Sequence, residues 1–201
     1  MKKIIFNDKY RLTRAVLEGR KTQTRRIAYT GNATIIDCGI CVEPKNIGRA
    51  TLFRGIDEIA HSRYCIGEEV VVAQAYCELV SEAGYNEEEI NKLRYSKGWT
   101  NKMYVKADLM PHRIRITDIR AERLQEISDE DCIAEGIREQ YFYSGEEEPE
   151  FEGYSYYAKN VLKPLFCTPR EAYAALIDKI SGKGTWASNP YVFVYEFELI
   201  K

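Results

Sequence analysis

The spacing of apolar residues changes period several times along the chain, and each change predicts an element. Residues 2–6 hold the short apolar run Ile4-Ile5-Phe6 and read as a strand. Leu12, Ala15, Val16 and Gly19 then fall at i, i+3, i+4 and i+7, one face of a helix that Asn7 caps and Gly19 ends. Lys21 to Ile27 reads as a strand, with Thr22, Thr24 and Arg26 on one side and Gln23, Arg25 and Ile27 on the other. Residues 57–64 fit one short helix. After Gly67, Glu69 to Ala73 is a branched apolar run that predicts a buried strand. Residues 86–95 suit a charged, exposed helix, and 103–107 a strand.

The second half has the clearer punctuation. Arg113 to Arg120 alternates, with Arg113, Arg115 and Thr117 on one face and Ile114 and Ile116 on the other. Ser128 with Asp131 three residues on resembles a capping box, and the helix it opens runs to Glu135 and stops at Gly136. Residues 138–167 are acidic and aromatic and read as a long loop or excursion, too aromatic to be simply disordered. Thr168-Pro169-Arg170-Glu171 is a helix start, with Tyr173, Leu176, Ile177 and Ile180 as the buried stripe. Tyr191 to Ile200 is the strongest strand pattern. Strands separated by helices of unequal length, without regular βα alternation, predict an α+β fold. A small mixed or antiparallel barrel with helices packed outside satisfies this pattern.

Composition narrows the class without naming a function. The 201 residues, 45% apolar and 30% charged, suit a single globular domain, 1–201. Segments near 28–56, 77–101 and 138–167 read as insertions. A net charge of −2 means that any nucleic-acid contact must come from a local basic patch. No run is long enough to span a bilayer, and the N-terminus is too short in apolar residues for a signal peptide, so a cytoplasmic location is expected. Six scattered cysteines and two isolated histidines point to no metal site and no cofactor. Cys38 and Cys41 are the only closely spaced pair and read as reduced thiols in a hairpin.

The chemistry concentrates in one stretch. From Arg20 to Arg26 four cations and two threonines stand with almost nothing apolar between them, an anion-facing surface with hydroxyl chemistry at hand. Gly19-Arg20-Lys21-Thr22-Gln23-Thr24-Arg25-Arg26 resembles the signature of ASCH-domain proteins, a branch of the PUA-like superfamily. Gly67-Glu68-Glu69-Val70-Val71-Val72, the block from Glu122 to Ile137, and Trp186-Ala187-Ser188-Asn189-Pro190-Tyr191 resemble later blocks of that family, in the same order, and the last is similar to phage and prophage members. The chain departs from many relatives at Ala73 and Gln74, where they carry an Arg-Glu pair.

The resemblance implies a PUA-like β-barrel with a cleft and a role on RNA or a modified nucleoside. Some ASCH proteins are amidohydrolases that remove the acyl group of N4-acetylcytidine, and the residues that carry over are Lys21, Thr24 and Glu135. A threonine hydroxyl needs a base to become a nucleophile, and a lysine serves if burial or neighbouring cations lower its pKa. Glu135 has an oddity of its own: it sits at a helix C-terminus, where the dipole disfavours an anion, and four residues after Asp131. A nearby cation relieves both, and Lys21 is the candidate. In a regular strand Lys21 and Thr24 point to opposite faces, so this site requires a bend after Gly19. Arg20, Arg25, Arg26, Arg113 and Arg115 are candidate phosphate contacts, and Trp186 and Tyr191 candidate base-stacking residues, weighed against core packing. A non-catalytic RNA-binding module or a ribonuclease using the same basic cleft stands as the alternative.

Overall fold

The computed structural model describes residues 1–30, 33–36, 40–42, 48–54, 57–80, 86–142, 148–158, 161–162 and 165–200. Along the chain come β1 (Lys3–Ile4), a 3-10 turn (Asp8–Tyr10), α1 (Leu12–Leu17), β2 (Gln23–Ile27), β3 (Tyr29–Thr30), β4 (Ala33–Thr34), β5 (Ile40–Val42), β6 (Thr51–Arg54) and β7 (Asp57–His61). Then follow β8 (Glu69–Val72), α2 (Tyr76–Leu79), α3 (Glu87–Arg94), β9 (Arg113–Arg123), α4 (Asp129–Ala134) and β10 (Arg138–Phe142). The chain ends in β11 (Glu150–Ser155), β12 (Tyr157–Ala158), β13 (Val161–Leu162), α5 (Pro169–Ser181), α6 (Thr185–Ser188) and β14 (Tyr191–Ile200).

The principal sheet has the order β1-β8-β9-β14-β2. β1 runs parallel to β8, and the other neighbouring pairs are antiparallel. Its spine is the β9–β14 pair, which runs from Tyr191 opposite Arg123 to Ile200 opposite Arg113. Glu196 faces Asp118 and Phe197 faces Ile116, so Thr117 is an extra residue in β9. That bulge shifts the inward parity from Ile114 and Ile116 to Ile119, and all three are buried. They pack with Val192, Val194 and the Tyr173, Leu176 and Ile177 stripe of α5 in the main core.

The fold is mixed α+β. Smaller sheets, β3-β4, β5-β6-β7, β10-β11 and β12-β13, lie apart from the main one, and no closed barrel forms among the described strands. Several helix boundaries follow their sequence signals. Asn86 accepts from the Glu89 N–H at 2.9 Å while Glu89 accepts from the Asn86 N–H at 3.0 Å. Thr168 and Glu171 do the same for α5. Ser128 accepts from the Asp131 N–H at 3.1 Å, but the Asp131 carboxylate does not reach back to the cap; it turns to Arg25, Arg120 and Gln23.

Three expectations fail, two of them because long-range pairing overrides local pattern. Residues 57–64 are not a helix: Asp57–His61 is β7, paired antiparallel with β6. Residues 103–107 are not a strand; 3-10 turns at Lys102–Tyr104 and Ala107–Leu109 take their place. The described residues within 138–167 do not form a long loop, though the alternative reading of this stretch, an excursion, is left standing. β10 and β11 form an antiparallel pair there, in which Tyr141 meets Phe151 and Phe151 meets Tyr154 in edge-on aromatic contacts. Cys38 and the side chain of Cys41 lie outside the described residues.

Glycine is required at one position beside the site. Gly136 ends α4 with φ +110°, and a Cβ there would lie 3.2 Å from Leu12 Cδ2 and 3.9 Å from Lys21 Cδ. Gly136→Ala is expected to cost about 1–3 kcal/mol through backbone strain. The measurement is a urea titration, with the midpoint lowered and the slope unchanged.

Candidate functional site

The site begins where α1 ends. Gly19 takes a left-handed conformation, φ +72°, and its N–H donates to Val16 O at 2.9 Å. The N–H groups of Arg20 and Lys21 both donate to Ala15 O, at 2.9 and 3.0 Å. These bonds wrap the chain around the helix end, and β2 starts only at Gln23. Strand alternation therefore does not govern Lys21. Lys21 and Thr24 are both buried, 2% and 4% exposed, and both line the same cavity. The bend also brings Thr22 against α4, where its N–H donates to Ala134 O at 3.0 Å.

Lys21 meets Glu135 at that junction. Its Nζ donates to the Glu135 carbonyl oxygen at 2.8 Å and forms an ion pair with Glu135 Oε2. The other carboxylate oxygen, Oε1, accepts the backbone N–H of Arg25 at 2.6 Å. β2 is an edge strand, so that N–H has no ladder partner. The Lys21 cation also compensates the helix-end placement of Glu135. Burial pulls the Lys21 pKa below its usual 10.5, and although Glu135 pulls the other way, Arg25 and Arg26 add to the lowering.

Arg25 holds the carboxylates in place. Its side chain has no solvent exposure and its guanidinium contacts three acids: Glu122 Oε1 at 2.7 Å, Asp131 Oδ2 at 2.5 Å and Glu135 Oε1 at 3.4 Å. Arg120 shares Glu122 and Asp131 and continues to Glu196. Burial works against the Arg25 charge, but Glu135 and Glu122 outweigh it and raise its pKa. Cys132 lies within this block, and burial pushes its thiol up to about 12, so it is no nucleophile at neutral pH.

The cavity above these groups has a volume of about 540 Å³ and is walled by β2, the turn after β1, and α5. The Thr24 hydroxyl has no hydrogen-bond partner among the described residues, and no fully enclosed side-chain polar atom there lacks one. The hydroxyl is thus open to the cavity it lines. Tyr173 contributes a phenol kept protonated, its pKa raised well above 10 by burial and then by Glu135. Across the cavity Lys102 Nζ donates to Asp8 Oδ1 at 2.6 Å and Thr13 Oγ1 at 2.8 Å. Lys102 carried no signal in the sequence, because it arrives on an irregular 3-10 turn with no apolar period. Tyr173 was hidden by its place in the core stripe of α5.

The remaining candidates separate by position. Arg26 is exposed and lines the cavity. Arg25 lines it too but is enclosed by carboxylates, so it is a positioning cation and not a phosphate contact. Arg20 folds back on Glu18 at 2.6 Å. Arg113 and Arg115 lie on β9, paired with Glu69 and, for Arg115, with Glu198, away from the cavity. Trp186 packs edge-on against Tyr173, and Tyr191 lies beneath Arg123; neither ring lines the cavity, and packing accounts for both. Among the described residues no group of three or more His, Cys, Asp or Glu side chains is arranged to hold a metal, and no helix is long and apolar enough to cross a membrane.

Comparison of the chain with protein-family models, curated proteins and solved structures finds no match. The site therefore rests on its own geometry.

Removing the buried cation tests that geometry. Arg25→Met leaves Glu122, Asp131 and Glu135 without their shared partner and is expected to destabilise the fold by about 3–5 kcal/mol near neutral pH. Although burial alone raises the Asp131 pKa, the hydrogen bonds from Arg25 and Gln23 hold it below the usual 3.8. The unfolded chain therefore binds the proton first as pH falls, and wild-type stability from this group is present above about pH 4 and lost on descent through the folded value. Denaturant midpoints across pH 2–7 are expected to show this loss in the wild type and a shallower one in Arg25→Met.

Proposed function

We propose that the chain is an amidohydrolase of the ASCH type that removes the acyl group from an N4-acylated cytidine. The open mixed sheet is, in this reading, the core of a PUA-like module. One observation carries the proposal: a buried lysine with a lowered pKa, fixed by a buried glutamate, shares a cavity with a threonine hydroxyl that has no hydrogen-bond partner among the described residues.

The reaction assigned to these groups runs in two halves. Neutral Lys21 takes the proton of Thr24 Oγ1 as that oxygen attacks the acyl carbonyl carbon. The ammonium so formed is held by the Glu135 carboxylate and carbonyl. Arg26, on the cavity wall, adds positive field where the carbonyl oxygen gains charge. Lys21 then returns the proton to N4 as the carbon–nitrogen bond breaks, and cytidine leaves. Water, with Lys21 again as base, hydrolyses the threonyl ester and releases the carboxylic acid. A non-catalytic RNA-binding module is the second reading. It is favoured by the exposed Arg26, which forms no ion pair among the described residues.

Hydrolysis of N4-acetylcytidine is the test. Lys21→Ala and Thr24→Ala are each expected to lower kcat/KM by roughly 10²–10⁴ with the fold retained. Because the base must be neutral, wild-type kcat/KM is expected to rise with pH through a Lys21 pKa below 10.5. No turnover of acylated cytidines by folded wild type would sink the deacylase reading and favour the binding module.

A further inference from the structure

A second cavity, of about 510 Å³, adjoins the first. The two share Ile5, Arg26, Ile27, Tyr29 and Met103, so β2 and the Met103 turn form a common divide. Their chemistry differs. The first cavity has Asp8 and Glu135 in its wall, while the second has Lys3, Arg26, His61 and Arg63 and, among the described residues, no carboxylate.

Lys3, Arg26 and Arg63 are held by groups that, among the described residues, leave their charge unneutralised. Arg26 donates from Nη2 to Ile5 O at 2.8 Å and lies 5.7 Å from the Phe6 ring centre. Lys3 Nζ donates to Met103 O and Val105 O, at 2.5 and 2.9 Å. Arg63 stands 5.7 Å from the Tyr64 ring centre, and its backbone N–H donates to the Tyr195 hydroxyl at 2.8 Å. Among the described residues neither Arg26 nor Arg63 has an ion-pair partner, whereas Arg20, Arg25, Arg113, Arg115 and Arg120 each have one. His61 is near one acid, Glu58, at 3.2 Å. Tyr29, 53% exposed, stands on the divide.

We infer that the second cavity is a phosphate subsite, and that the substrate is a nucleotide whose base enters the first cavity while its phosphate meets Arg63 and Arg26. Two exposed guanidiniums without carboxylate partners match a phosphate's oxygens, and the aromatic walls exclude water from one side of the contact. This deepens the deacylase reading by naming a phosphorylated substrate, and rests on it for the occupant of the first cavity. The phosphate has two sources, a mononucleotide or an internal phosphodiester of a strand.

Calorimetric binding of cytidine, cytidine 5′-phosphate and the dinucleotide CpA separates these possibilities without requiring turnover. The wild type is expected to bind a phosphorylated probe at least about tenfold tighter than cytidine. Arg63→Gln is expected to lose that advantage while keeping the wild-type melting temperature. Arg113→Gln, an equal charge change outside both cavities, keeps it. A gain with cytidine 5′-phosphate identifies a mononucleotide, and a gain with CpA alone an internal phosphodiester. No binding, equal affinity for all three probes, a gain that survives Arg63→Gln, or an equal loss in Arg113→Gln overturns the subsite. Phosphate-dependent binding without hydrolysis of any acylated probe would remove the deacylase reading and leave the subsite standing.

Discussion

Burial of the Arg25 guanidinium among Glu122, Asp131 and Glu135 is the constraint on which the site depends. These acids come from β9, α4 and the residue after α4, and Arg25 comes from β2. One cation thus joins three parts of the fold at a largely buried point, where an unmatched charge is costly. The arrangement is tolerable because it is nearly complete: Arg120 takes a second share of Glu122 and Asp131, and Gln23 donates to Asp131 at 2.8 Å. What remains of Glu135 is directed at Lys21. The lysine is therefore presented to the cavity by a block of packed, hydrogen-bonded groups and not by a free side chain.

The same block sets the electrostatics of the two cavities. Arg25 is spent on carboxylates, so its field reaches Lys21 but its hydrogen bonds reach no ligand. Arg26, one residue on, has the reverse character: it is anchored by a carbonyl and a ring, and its charge faces outward. Adjacent arginines on an edge strand thus divide the labour, one inward to structure and one outward to solvent, as strand alternation dictates.

Legibility in the sequence followed the range of the interactions. The helix stops at Gly19 and Gly136, the caps at Ser128 and Thr168, and the alternation along β9 and β14 depend on residues a few positions apart, and all could be read from spacing. Glu135 was legible chiefly through the family resemblance, with which its unfavourable place at a helix end, four residues after Asp131, agreed. Arg25 was not legible as a buried hub, because its acids lie 97, 106 and 110 residues away. Nor was β7, whose local pattern suits a helix and whose strand form exists only through pairing with β6. The surface arginines misled for a related reason. Arg113 and Arg115 look like a basic stripe along β9, but Glu69 and Glu198 on the flanking strands neutralise it.

The carboxylate of Glu135 occupies a backbone donor at the middle of β2 through which another chain could pair with that strand. An open five-stranded sheet invites extension at both margins, and the Arg25 N–H is the central rung of that margin. With a buried, charge-paired oxygen seated on it, an incoming strand meets a filled position and an anion rather than a free donor. The residue that holds Lys21 therefore also caps this margin of the sheet, and loss of that carboxylate would expose an unpaired strand donor as well as an unpaired buried lysine.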